Sequence, residues 1–108
     1  MNEHRVVITG LGAVTPIGIG VQDFCKGLKA GRNGIARVTR FDVTDFRSKL
    51  AAEVNDFQPE QWIDKKSAKR MDRFIQFGIA ASAMAMEDAG LESFAFDNNR
   101  HNTPPIRF

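Results

Sequence analysis

The sequence contains one cysteine (Cys25), one tryptophan, no tyrosine and two histidines in 108 residues. A lone thiol closes no intrachain disulfide and builds no zinc site, so the chain reads as cytosolic. A long apolar run is also missing. The first five residues are polar, and the apolar run after them is broken by Gly10 and Gly12, which is not the pattern of a secretory leader. The longest uncharged stretch of the second half, residues 74–86, is too short and too rich in Ala, Gly and Ser to span a membrane. Charge of one sign is scarce too: 15 Lys and Arg against 13 Asp and Glu leave a net charge of +2. A basic stripe interleaved with aromatics is absent, which argues against nucleic-acid binding. There is no internal repeat and no low-complexity segment.

What remains is the composition of an ordinary globular domain, 43% hydrophobic and 26% charged. Residues 5–9, Arg-Val-Val-Ile-Thr, form a β-branched run bounded by Gly10, which predicts a strand buried on both faces. Gly10, Gly12, Pro16, Gly18 and Gly20 then predict a loop. Residues 21–30 predict an amphipathic helix with Val21, Phe24, Cys25 and Leu28 on its apolar face, stopped by Gly31. Asn33 and Gly34 predict a turn, and 35–41 and 49–54 predict extended segments. Pro59 suits the first turn of a short helix anchored by Trp62 and Ile63. Ser67 is a candidate cap for a long helix over 68–90.

That helix has two unusual properties. Lys69, Arg70 and Arg73 crowd its start and Glu87 and Asp88 its end, the reverse of what the helix dipole favours. Its middle, 77–86, is apolar or small on every side, which predicts burial in a larger body or at a subunit contact. Beyond it, residues 101–108 read as an irregular tail with two consecutive prolines.

The order of several short segments carries more than any one of them. The run from Arg5 through Thr9-Gly10-Leu11-Gly12-Ala13-Val14-Thr15-Pro16-Ile17-Gly18 resembles the opening of the β-ketoacyl synthase family, most closely its type II bacterial members. Ala30-Gly31, Gly34-Ile35, Phe41-Asp42 and Asp56-Phe57 follow in family order. The segment from Lys69-Arg70-Met71-Asp72-Arg73 to Gln76, and that from Ala85 to Leu91, resemble the family's long N-terminal helix. The likeness covers about residues 4–100. It implies an α/β fold: the N-terminal part of a thiolase-like architecture, a mixed sheet with flanking helices, incomplete in this chain and paired as a homodimer in full-length members. It implies decarboxylative condensation of malonyl- with acyl-carrier substrates, with a thiolate nucleophile, two histidines and no metal or redox cofactor. In the family those three side chains lie downstream of the positions matched here, so the chain alone is expected to be inactive. After Arg100 the family continues with a strand and a glycine-rich turn, whereas residues 101–108 match nothing in that pattern, which suggests a shifted reading frame, a fragment of a longer sequence or a truncated gene product.

Each candidate residue has a plain structural alternative. Cys25 reads as a small hydrophobe on a helix rather than as a nucleophile. His4 falls in the terminus and His101 in the tail, and neither is expected to be catalytic. Gly10, Gly12, Gly18 and Gly20 could cradle a phosphate, making the chain a small nucleotide-binding α/β module. Their spacing does not fit G-x-G-x-x-G, however, and Pro16 removes a backbone donor, so tight turns are the simpler reading. Phe74, Phe77, Met84 and Met86 are core residues or the lining of an acyl channel. Lys65, Lys66, Lys69 and Arg70 are a solvated helix end or, as the resemblance implies, a docking surface for the strongly acidic acyl carrier protein.

Overall fold

The computed structural model describes residues 3–91. The elements run β1 (Val14–Thr15), β2 (Gly18–Ile19), α1 (Val21–Lys29), β3 (Ile35–Arg37), β4 (Leu50–Ala52), a 3-10 turn at Pro59–Gln61, α2 (Lys65–Ala68) and α3 (Arg73–Asp88). The strands form two antiparallel hairpins. In one, Val14 faces Ile19 and Thr15 faces Gly18. In the other, Ile35, Ala36 and Arg37 face Ala52, Ala51 and Leu50.

Both longer helices end in the same way, because the sequence puts a glycine two positions past the last residue of each. Gly31 (φ 67°) and Gly90 (φ 70°) take the left-handed conformation. The amides of Gly31 and Arg32 donate back to Leu28 O and Gly27 O, and those of Gly90 and Leu91 to Glu87 O and Met86 O. This double bond satisfies carbonyls that a helix end would otherwise leave bare. In α1, Asp23 in the first turn and Lys26 and Lys29 in the last agree with the dipole.

The expected strand at 5–9 is not formed. Residues 5–9 make no backbone hydrogen bond to another element of the described chain, and Val6, Val7 and Ile8 are 93%, 70% and 81% exposed. A β-branched run becomes a strand only when a neighbour takes up its amides and carbonyls. Among the described residues every strand already pairs with another. The run does lead into a close contact. A Cβ on Gly10 would strike Ala85 O, and one on Gly12 would strike Ala81 O, so this segment lies directly against α3. Leu11 N donates to Asp88 Oδ2 at 2.9 Å, tying the same segment to the last residue of that helix.

Three further expectations are corrected. The apolar face of α1 packs narrowly: Gly27 is buried beneath Ile17, whereas Cys25 and Leu28 face water. The predicted helix over 68–90 begins only at Arg73, and residues 65–68 form a separate short helix before it. Asp64, not Ser67, caps the first, its carboxylate accepting Ser67 N at 2.9 Å. Arg70 N and Met71 N then bond three residues back, to Ser67 O and Ala68 O, and Asp72 turns extended (ψ 156°) before α3 begins at Arg73. The middle of α3, expected to be buried in a larger body or at a subunit contact, leaves Gly78, Ser82 and Ala83 exposed among the described residues. The predicted tail at 101–108, with His101, lies outside the described residues.

The core is small: Val43, Phe57, Ile63, Ala68 and Ala80. Phe57 is its hub, stacked flat on Trp62 (5.5 Å between centroids, 3° between planes) and meeting Phe77 edge-on at 5.0 Å. The Arg73 guanidinium covers both rings, 5.9 Å from Phe57 and 5.0 Å from Phe77. Its fork also donates to Val54 O. Burial, with Arg40 nearby, lowers the Arg73 pKa from its ordinary value, yet a guanidinium keeps its charge in such a place.

Candidate functional site

Lys65, Lys66, Lys69 and Arg70, the four residues predicted as a docking surface, come together. They line an open bowl of about 400 Å³. Lys65 and Lys66 stand on α2, and Lys69 and Arg70 on the turn that follows, so each pair of cations is spaced by four positions. All four are exposed. Among the described residues the one ion pair is Arg32–Asp23 at 3.4 Å, on another part of the surface. Among the described residues, no carboxylate is paired to any of the bowl's four positive charges.

Local bonding explains the arrangement. Asp64 opens α2, and the Ser67 hydroxyl and amide hold its carboxyl below the usual range. From the far side, the Gln76 carboxamide on α3 donates to Ala68 O at 2.9 Å and reaches Met71 O at 3.4 Å. The split of the helix changes one sequence argument. Lys69 and Arg70 lie ahead of α3 rather than in its first turn, so of the three start-side cations only Arg73 opposes the dipole of α3. Arg73 is occupied by Phe57, Phe77 and Val54 and takes no part in the bowl.

The other candidates are not brought together. Cys25 is exposed on α1, and His4, the one imidazole among the described residues, is exposed on the N-terminal run. The glycine loop folds as the β1–β2 hairpin, with Thr15 Oγ1 donating to Gly18 O at 2.7 Å and Gly20 N to Ala13 O at 2.8 Å. With Gly10 and Gly12 pressed on α3, the space a phosphate would need beside them is filled by helix backbone. Phe74 points to water, while Phe77, Met84 and Met86 are half-buried. An open cleft of about 570 Å³ runs between the β1–β2 turn and the segment bearing Asn55, Gln58 and Trp62. Sequence reasoning did not single it out, nor Gln76, whose interior position along α3 gave no sign of the contact it makes.

Comparison with known proteins agrees with this scaffold. The family described as Beta-ketoacyl synthase, N-terminal domain, matches residues 3–103. A 3-oxoacyl-[acyl-carrier-protein] synthase 2 from Synechocystis sp. is 52% identical over 91 residues, 84% of this chain and 22% of that protein. The synthase 2 of Coxiella burnetii is 47% identical over 106 residues, 98% of this chain and 24% of that one. Among solved structures, the ishigamide ketosynthase/chain length factor superposes with a TM-score of 0.71 at 45% identity, over 79% of this chain and 21% of its own. A β-ketoacyl synthase from Burkholderia phymatum gives 0.61 at 38% identity, over 86% and 22%. The scaffold is therefore of the ketosynthase, thiolase-like class. The chain belongs to the β-ketoacyl synthase family, as part of its N-terminal domain, and spans about 22% of the length of the curated relatives it matches.

Proposed function

We propose that the chain supplies the carrier-docking part of a condensing enzyme of fatty-acid synthesis, one that joins malonyl- and acyl-carrier substrates into a 3-oxoacyl product. The observation that carries the reading is the bowl of Lys65, Lys66, Lys69 and Arg70, four exposed cations with no ion-pair partner among the described residues. Like charges held this close repel one another. A strongly acidic protein such as acyl carrier protein would relieve that repulsion and be steered to the spot by it. Family membership supplies the reaction class. The described residues supply no thiolate–imidazole pair, so the reading gives this chain a binding role and no catalytic residue.

The test is binding. Fluorescently labelled acyl carrier protein is titrated with the chain at low salt and followed by anisotropy. Lys65→Glu combined with Lys69→Glu should weaken binding by more than tenfold, since it replaces two attractions with two repulsions. Unchanged affinity in that double variant rejects the docking surface. Adenine or nicotinamide nucleotides, as controls for the rival reading of the glycine loop, should leave the thermal midpoint where it is.

A further inference from the structure

Gln76 is the one polar side chain that is buried among the described residues, at 7% exposure. Among the described residues it makes no hydrogen bond to another side chain. Its carboxamide nitrogen goes to two main-chain carbonyls, Ala68 O at 2.9 Å and Met71 O at 3.4 Å. Lys69 and Arg70, half of the cationic bowl, sit between those two carbonyls. We propose that Gln76 is the positioning residue of the basic surface: it clamps the backbone that makes the four cations converge. The inference rests on the docking reading above and adds to it the part that holds the surface in shape.

The argument is one of mechanics and charge. A helix as short as α2, Lys65–Ala68, does not persist by itself, and mutual repulsion pushes its cations apart. Its beginning is fixed by Asp64. Its end is fixed by Gln76, which belongs to α3 and so transmits the rigidity of the longer helix. The bond at 2.9 Å is well formed; the one at 3.4 Å is a weak second contact. A neutral amide suits the task. It donates to carbonyls without cancelling the positive field, as a carboxylate in the same place would. Cations already held in place lose little freedom when a partner arrives, which is how preorganisation raises affinity without a new contact. Gln76 itself does not touch the partner.

The experiment uses the 108-residue chain and acyl carrier protein, with Lys65→Glu/Lys69→Glu, Gln76→Met and Gln76→Glu beside the wild type. Gln76→Met keeps every cation and roughly the same volume, and should bind roughly five- to tenfold more weakly, the worth of about one hydrogen bond. Gln76→Glu gives the sharper reading. At about pH 8 its carboxylate faces two carbonyls and binding is weak. A buried acid so placed titrates high, so towards about pH 6 it takes up a proton, its O–H replaces the lost donor, and affinity recovers. The charged groups on the elements around it are Asp64, Lys65, Lys66, Lys69, Arg70, Asp72 and Arg73, and wild type measured alongside corrects for them and for the carrier. A wild type that does not bind, or an inert charge reversal, overturns the docking reading itself. With those two intact, a Gln76→Met that binds like wild type, or a Gln76→Glu with no recovery beyond that of wild type, overturns the positioning role alone. The acid-side recovery supports it even if Gln76→Met does not fold.

Discussion

The carboxylate of Asp88 accepts the backbone amide of Leu11, 77 positions earlier in the chain, at 2.9 Å. This accounts for an acid at a helix C-terminus, where the dipole disfavours it: the charge serves a neighbouring segment rather than its own helix. Asp88→Ala should lower unfolding free energy by about 1 kcal/mol, the usual worth of such a bond. The Leu11 amide should exchange with solvent faster in the variant. Unaltered exchange at Leu11 would show that the contact does not hold the segment.

Gly12 and Gly78 make a matched pair. A Cβ on Gly12 would meet the main chain of Ala81, whereas one on Gly78 meets nothing within 4 Å. Gly12→Ala should therefore destabilise by about 1–3 kcal/mol through overpacking against backbone. Gly78→Ala, in the open middle of α3, should stabilise by about 0.5–1 kcal/mol from helix propensity. Urea midpoints of the two variants should move in opposite directions.

Arg73 covers Phe57 and Phe77 and reaches Val54 O, so it closes the core as well as carrying a charge. Arg73→Ala should cost about 2 kcal/mol, from the lost cation–π contact and the lost donor together. Arg73→Lys should recover only part of this, because a point-charge ammonium lacks the planar fork. Equal midpoints for Lys and Arg would rule out a role for the fork.

Glu53 takes three bonds at the end of the β3–β4 hairpin, from Thr39 N (3.0 Å), Thr39 Oγ1 (2.7 Å) and Arg40 N (3.3 Å). The Thr39 hydroxyl first, then its amide, hold the Glu53 carboxyl below its ordinary value of 4.5. A folded-state pKa that is depressed stabilises the fold in full above the unfolded value, and this contribution disappears as pH falls through the folded one. Stability of the hairpin should thus be level above about pH 5 and decline below it. Glu53→Gln should flatten that decline, and an acid titration followed by hairpin amide shifts would reveal it. An unchanged acid limb in the variant would assign the effect to Asp42 and Asp64, whose carboxyls are lowered in the same sense.

Docking through Lys65, Lys66, Lys69 and Arg70 should weaken steadily as salt rises, because exposed charges are screened beyond about 10 Å at 0.1 M ionic strength. The slope of affinity against salt should be shallower in the Lys65→Glu/Lys69→Glu variant. A slope as steep as that of wild type would place the contact elsewhere.

The α1 helix, the two segments of the β3–β4 hairpin and the Gly31 stop were legible in the sequence because their signals are local: periodicity, Gly31 and the Asn33-Gly34 turn. The break between α2 and α3 was not. Residues 65–90 contain no proline, and the break arises from Asp64 capping early and Asp72 turning extended, a competition between two adjacent caps that residue pattern does not rank. Residues 5–9 failed for the opposite reason. Their local preference for a strand is strong, but pairing is a property of two segments, and the described chain offers no second one. The four cations could be named from sequence and resemblance together. That they form one bowl, and that Gln76 reaches behind it, depends on the angle at the 69–72 turn.

Val6, Val7 and Ile8 expose their branched side chains, and their amides and carbonyls have no backbone partner among the described residues. Such a ribbon accepts another ribbon from whatever source is nearest. Handling of this polypeptide is therefore governed less by its net charge than by three wet aliphatic residues. A lysine introduced at Val6, where nothing is packed, should keep concentrated samples clear without disturbing the helices.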